Sequence, residues 1–181
     1  MKLFRSDARF CSAKCRVYAS RSSKLPRKMA QSKRFVRYNS RKVPLSINGC
    51  AASSTDPTTW STLKEAKESD AGVGIGFVLG NGIGCLDLDH CFTDGKLAPW
   101  AAEIVEANRG TWIEVSRSGD GLHIFGLIEP APGRKIRDGQ RNVEVYSRDR
   151  YIALTGKPFE RAPLTLRPLN VPDNLCAQSS P

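Results

Sequence analysis

Chemistry is first suggested by Gly82-Ile83-Gly84-Cys85-Leu86-Asp87-Leu88-Asp89-His90, where an apolar run ends in two acids separated by one leucine. Strand side chains alternate between faces, so on a strand Asp87 and Asp89 share one face while Leu86 and Leu88 take the other. Two carboxylates held side by side repel each other, and burying them unpaired is costly. A hard, oxygen-ligated cation such as Mg²⁺ or Mn²⁺ removes that cost. A pair of such ions about 4 Å apart can activate a hydroxyl and stabilise a transferring phosphoryl group. Taken alone, Asp-X-Asp more often simply ends a strand, here before Phe92-Thr93-Asp94-Gly95.

Two further stretches change that balance. In Ser116-Arg117-Ser118-Gly119-Asp120-Gly121-Leu122-His123-Ile124-Phe125, a small-residue turn leads into a strand that carries a histidine near its start. Glycines let backbone approach a phosphate, and Ser hydroxyls with free N–H groups can cradle it. His123 falls on the face opposite Leu122 and Ile124, where it can donate to a phosphate oxygen. Alone, this is more often a plain hairpin turn beside a structural histidine. The third stretch is Asn142-Val143-Glu144-Val145-Tyr146, followed by Ser147-Arg148-Asp149-Arg150. Glu144 alternates with two valines and could complete a three-carboxylate metal site, with Arg148 and Arg150 able to reach a triphosphate. By itself it reads as an exposed glutamate beside a charged turn.

Several elements must position these groups. Asp56 and Pro57 mark a helix start, with Trp60, Leu63 and Ala66 as its buried stripe. A strand follows over 73–79, then an Asn81-Gly82 hairpin turn, then the strand 83–89 that bears the acids. Ala98-Pro99-Trp100 opens a second helix, with Trp100, Ala101, Ile104, Val105 and Asn108 on one face and Gly110 closing it. Strands are expected at 111–115, 122–128, 142–146 and 151–155, with a basic loop over 130–140 and a Pro-rich tail from 161 to 181. This order suggests an α+β domain with a mainly antiparallel sheet.

The net charge of +10 is uneven. Residues 1–42 hold 14 Lys/Arg and one acid, Asp7, a net of +13; the remaining 14 Lys/Arg and 17 acids leave 43–181 at −3. The expected organisation is a basic, partly disordered arm over 1–42, suited to a polyanion, and a catalytic domain over 43–160. The six cysteines lack the even spacing of a disulfide framework, so a reducing, cytoplasmic compartment is expected. Cys11 and Cys15 form half of a zinc motif; structural zinc wants four ligands, so little or no stoichiometric zinc is expected. No apolar run approaches the roughly 20 residues of a membrane span, and only two histidines argue against a His-rich metal site.

Taken together, Asp-X-Asp, Ser-Gly-X-Gly-X-His and an apolar-Glu-apolar strand followed by Arg150-Tyr151-Ile152-Ala153-Leu154-Thr155-Gly156 resemble the archaeo-eukaryotic primase superfamily. The closest likeness is to the bifunctional DNA primase/polymerase N-terminal domains of bacteriophages and plasmids. Ser53-Ser54-Thr55-Asp56-Pro57-Thr58-Thr59-Trp60 and Gly74-Ile75-Gly76-Phe77-Val78-Leu79 match that family's entry into the domain, and the resemblance runs from about Lys42 to Phe159. It implies an RRM-like catalytic core on a smaller α/β module. It implies Asp87, Asp89 and Glu144 as ligands of two Mg²⁺ or Mn²⁺ ions, and His123 as a contact to the incoming nucleotide's phosphates. Ser118, Gly119, Gly121, Arg148 and Arg150 complete the expected triphosphate site. Family members often carry a full Cys-rich zinc motif upstream, of which only the last pair stands here, compatible with a start internal to a longer reading frame. The expected activity is template-dependent nucleotide addition in phage or plasmid replication, in the bacterial host cytoplasm, with single-stranded DNA and nucleoside triphosphates as partners. No P-loop or helicase segment follows the motifs, so a separate helicase is a candidate partner. A non-catalytic DNA-binding replication module and a metal-dependent nuclease using the same acids are the rival readings.

Overall fold

The computed structural model describes residues 25–139 and 141–172. The Cys11/Cys15 pair, the first part of the basic arm and the last nine residues of the tail lie outside them. The described chain is α+β, with few helices and antiparallel sheets.

The chain begins with a short helix α1 (Arg27–Ala30), then β1 (Phe35–Tyr38) and β2 (Pro44–Leu45). Phe35 and Val36 are fully buried. Residues 27–42, expected as arm or linker, are therefore part of the folded body, and the boundary drawn at 42/43 falls in the turn between β1 and β2. Their charge serves the fold: Arg34 donates to the Val78 and Leu79 carbonyls and lies over the Trp60 ring, while Arg37 donates to the carbonyls of Ala66 and Ala71.

The helix expected after Asp56 divides in two. Asp56 caps a 3₁₀ turn at Pro57–Thr59 by accepting from Thr58 N. Trp60 and Ser61 then run extended, Ser61 bridging to Phe35, before α2 (Leu63–Glu68) starts in a capping box between Thr62 and Glu65. β3 (Gly74–Val78) pairs with β1 and completes a sheet ordered β11-β3-β1-β2, where β11 is Tyr151–Ala153.

At Asn81-Gly82 the chain does turn tightly, with positive φ at both residues and Gly80 and Ile83 bonded across it. The strands on either side do not pair onward. β4 (Ile83–Leu88) enters a second sheet, and Phe77 and Leu79 share a buried core cluster with Ile83 and Cys85 instead of continuing a ladder with them.

After a small β5–β6 hairpin (Phe92–Thr93, Lys96–Leu97), α3 (Pro99–Ala107) starts with proline at its first position and buries Trp100, Ala101, Ile104 and Val105. The second sheet takes β7 (Trp112–Val115), β8 (Leu122–Leu127), β9 (Arg134–Asp138) and β10 (Arg141–Tyr146) in the order β7-β8-β4-β10-β9, every neighbouring pair antiparallel. β9 lies in the stretch expected to be loop. Its apolar content is a single residue, Ile136, and the strand forms because the edge of β10 offers it a register.

Leu86, Leu88, Ile113, Leu122, Ile124, Val143 and Val145 cover one face of the second sheet and pack on α3. Each such burial contributes roughly 1.5–3 kcal/mol. On the other face, Trp112, Phe125, Cys85 and Tyr146 form one cross-strand row and pack against the first sheet. The Pro-rich tail is seated as far as Asn170: Leu127 bonds Arg167 O and Leu169 N, and Asn108 holds Asn170 at both backbone groups. Cys50, Cys85 and Cys91 are free thiols, and burial pushes Cys91 up to about 12. No helix among the described residues is long and apolar enough to cross a membrane.

Candidate active site

One step along the strands from the Trp112–Phe125–Cys85–Tyr146 row, each strand of the second sheet contributes a polar side chain to the same face. Across β7, β8, β4, β10 and β9 the row reads Glu114, His123, Asp87, Glu144, Lys135. Alternation puts all five on the side away from α3, and beyond the Cys85 row, which the first sheet covers, Asp87 and His123 open onto a cleft.

The contacts along the row are unequal. His123 Nδ1 lies 3.2 Å from Glu114 Oε1, and its Nε2 lies 3.6 Å from Asp87 Oδ1, beyond hydrogen-bond reach. Asp87 Oδ1 is buried and has no hydrogen-bond partner among the described residues. Burial pushes the Asp87 carboxyl above its ordinary range; Asp89 and Glu144 add to the shift and His123 opposes it. Glu144 has the opposite balance. Burial works against its charge, yet Lys135 Nζ at 2.6 Å from Oε1 and the Tyr146 hydroxyl at 2.6 Å from Oε2 hold its carboxyl below the ordinary value. Arg150 stands 4.0 Å from Oε2 and over the Tyr146 ring.

The cleft in front of the row has a volume of about 360 Å³, within the range of small-molecule sites. Asp87, Asp89, Ser116, Arg117, Ser118 and His123 line it from the second sheet, and Lys42, Pro44, Ser54, Asp149, Arg150 and Tyr151–Ala153 face them. The Ser118 hydroxyl donates to Asp120, whose other oxygen pairs with His90 Nδ1 at 2.7 Å. The Ser118 bond, then the His90 contact, holds the Asp120 carboxyl low. Ser116 bonds Gly121 O and closes the turn. Gly121 is obligatory there, since a Cβ would lie 2.6 Å from Leu88 O. Gly119, at φ +88°, sits at the open tip.

Thus Asp87, Asp89, Ser118, His123 and Arg150 share one cleft, and Glu144 stands beside Asp87 one strand away. Arg148 does not line the cleft; it is exposed and pairs with Asp149 at 2.8 Å. Among the described residues no group of three or more His, Cys, Asp and Glu side chains is arranged as a ready metal site, in keeping with Glu144 being taken up by Lys135 and Tyr146. Sequence reasoning missed Glu114, Lys135 and Arg117. Ile113-Glu114-Val115 carries the same apolar-Glu-apolar signal that singled out Glu144; Lys135 carried none, lying in a stretch expected to be loop.

Fold and site together define an α+β domain with a histidine-bearing cleft of mixed charge between two antiparallel sheets. The chain is similar to the protein named DNA Primase-polymerase of Nitratiruptor phage NrS-1, with 35% identity over 126 residues, 62% of this chain and 17% of that protein. The chain spans about a sixth of that relative's length. No family model matches it.

Proposed function

We propose that the chain carries the catalytic centre of a DNA primase-polymerase, a nucleotidyltransferase that adds nucleotides to a strand on a DNA template during phage or plasmid replication in the bacterial cytoplasm. The observation that carries this reading is the direct cross-strand pairing of Asp87 with Glu144, with His123 on Asp87's other side. The name of the phage relative agrees with it.

Asp87, Asp89 and Glu144 would hold Mg²⁺ or Mn²⁺. The fit is supported by the unpartnered Asp87 oxygen and by a carboxyl that burial and its acidic neighbours leave short of positive charge. Glu144 would have to exchange Lys135 for the ion. When bound, two such ions supply activation of a 3′-hydroxyl and stabilisation of the phosphoryl group it attacks. The chain's own side chains do the rest. His123 Nε2, backbone N–H groups around Gly119 and Gly121, and the Arg150 guanidinium bind and orient the triphosphate; the Ser118 hydroxyl would have to leave Asp120, and Arg148 would have to leave Asp149, to join them.

The finer fold reading is an RRM-like core. Its support is the run β4-α3-β7-β8-β10, which reproduces the start and the final strand of a β-α-β-β-α-β unit; β9 stands where the second helix would be. Single-stranded DNA template and nucleoside triphosphates are the partners of this reading, with a separate helicase as a candidate.

The deciding experiment is primer extension and de novo priming on single-stranded DNA with Mg²⁺ or Mn²⁺. Labelled product that lengthens only with nucleotides, and is lost in Asp87→Ala and Asp89→Ala variants that remain folded, is expected. A primer shortened without nucleotides would make the protein a nuclease. DNA binding without incorporation would make it a binding module.

A further inference from the structure

We infer that Glu114 is the positioning residue for His123, fixing which ring nitrogen faces the cleft and tying the ring to the opposite wall. Glu114 lies two strands from Asp87 and is fully buried. A buried carboxylate must find donors, and it can only accept. Its donors are His123 Nδ1 at 3.2 Å and Thr155 N at 3.1 Å on Oε1, and Gly156 N at 3.0 Å on Oε2. An acceptor-only group opposite Nδ1 requires the proton to sit on Nδ1. Nε2 is then the nitrogen presented to Asp87 and the cleft, and it donates to a phosphate oxygen when the ring carries a second proton there, as the imidazolium. The ring is held from a second side by Phe125, edge-on at 6.2 Å between centroids.

The other donors matter equally. Thr155 and Gly156 come one residue after β11, whose residues Tyr151–Ala153 form the facing wall of the cleft. One carboxylate therefore joins the ring on one sheet to the backbone leaving the other. A ring freed from Glu114 can turn about its Cβ–Cγ bond and offer its nitrogens in other directions. The consequence for triphosphate binding rests on the reading that His123 meets the phosphates; the consequence for the ring does not.

The test has two arms on the full chain. The chain has two histidines, His90 and His123, so imidazole ¹⁵N resonances can be assigned with a His90→Ala variant. Wild-type protein should show His123 protonated on Nδ1; a neutral ring protonated only on Nε2 would overturn the inference, whatever any variant does. In the second arm, ATP and dATP binding is measured in Mg²⁺ for Glu114→Gln, His123→Ala and the double variant. Glu114→Gln should weaken binding about tenfold, the scale seen for partners that orient functional histidines. The double variant should be no weaker than His123→Ala, because the two act through one ring. Fully additive losses would assign Glu114 a merely structural role and overturn it. If the wild type binds neither nucleotide, the nucleotidyltransferase reading fails, and the ring resonances still decide on Glu114.

Discussion

Asp87 and Glu144 stand directly opposite one another on antiparallel strands, yet their carboxyls are shifted in opposite directions. Lys135 and Tyr146 both reach Glu144, while among the described residues no hydrogen-bond donor reaches Asp87 Oδ1. The hydrogen-bonded charge is thus on the Glu144 side, while His123 and Arg150 act on Asp87 only at longer range.

The asymmetry makes Asp87 a liability in the metal-free protein. Its raised carboxyl means the native chain keeps the proton to higher pH than the unfolded chain, so stability is lost as pH rises from the ordinary Asp value through the raised one. Asp87→Asn should raise Tm at pH 7 in chelator, on the order of 1 kcal/mol or about 2–4 °C in a chain of this size. The gain should vanish below the ordinary carboxylate range. Calorimetry across pH checks this, and a lower Tm at pH 7 would refute it.

Glu144 should behave in the reverse way. Its lowered carboxyl contributes stability above the ordinary Glu value, lost as pH falls through the lowered one. Glu144→Gln should therefore lower stability at pH 7 by about 1 kcal/mol, measured by urea unfolding. Lys135→Met should have a smaller effect, because the Lys135 side chain is 53% exposed and solvent screens the pair.

Divalent ions should stabilise the fold by mass action. At a hundredfold excess over Kd the gain is about 2.7 kcal/mol. Mg²⁺ or Mn²⁺ should raise the Tm of wild type and not that of Asp87→Asn. Lys135→Met should bind the ion more tightly than wild type, since Lys135 competes for Glu144. Equal affinities in a thermal-shift titration would show that Glu144 is not a ligand.

The arm must be cut with the fold in view. Residues 1–24 hold seven Lys/Arg and one acid, a net of +6. Deleting them should weaken DNA binding and flatten its salt dependence, because fewer counterions are released. Deleting 1–42 also removes β1 with buried Phe35 and Val36, and should leave the protein unfolded. Circular dichroism and DNA-binding isotherms at several salt concentrations separate the two deletions.

Gly121→Ala should cost about 1–3 kcal/mol, since a Cβ 2.6 Å from Leu88 O forces the turn away from β4. Nucleotide binding should weaken with it, as Ser118 moves with the turn. Chemical denaturation and ATP binding on the same sample check both.

The alternation of Leu86, Asp87 and Leu88, and of Val143, Glu144 and Val145, settled locally which face each acid takes; the apolar stripe of 98–110 did the same for its helix. Neighbours along one strand decide such faces through the two-residue period. The sequence could not say which strands lie side by side. That depended on Phe77 and Leu79 packing over Ile83 and Cys85, which sends the two arms of the Asn81-Gly82 turn into different sheets, and on the edge of β10 recruiting a charged stretch as β9. Only the resulting register puts Lys135 on Glu144 and Glu114 behind His123. It also turned Arg34 and Arg37 from arm charges into carbonyl partners of the core. Register is a long-range property, fixed when two faces bury each other, and no local pattern of residues encodes it.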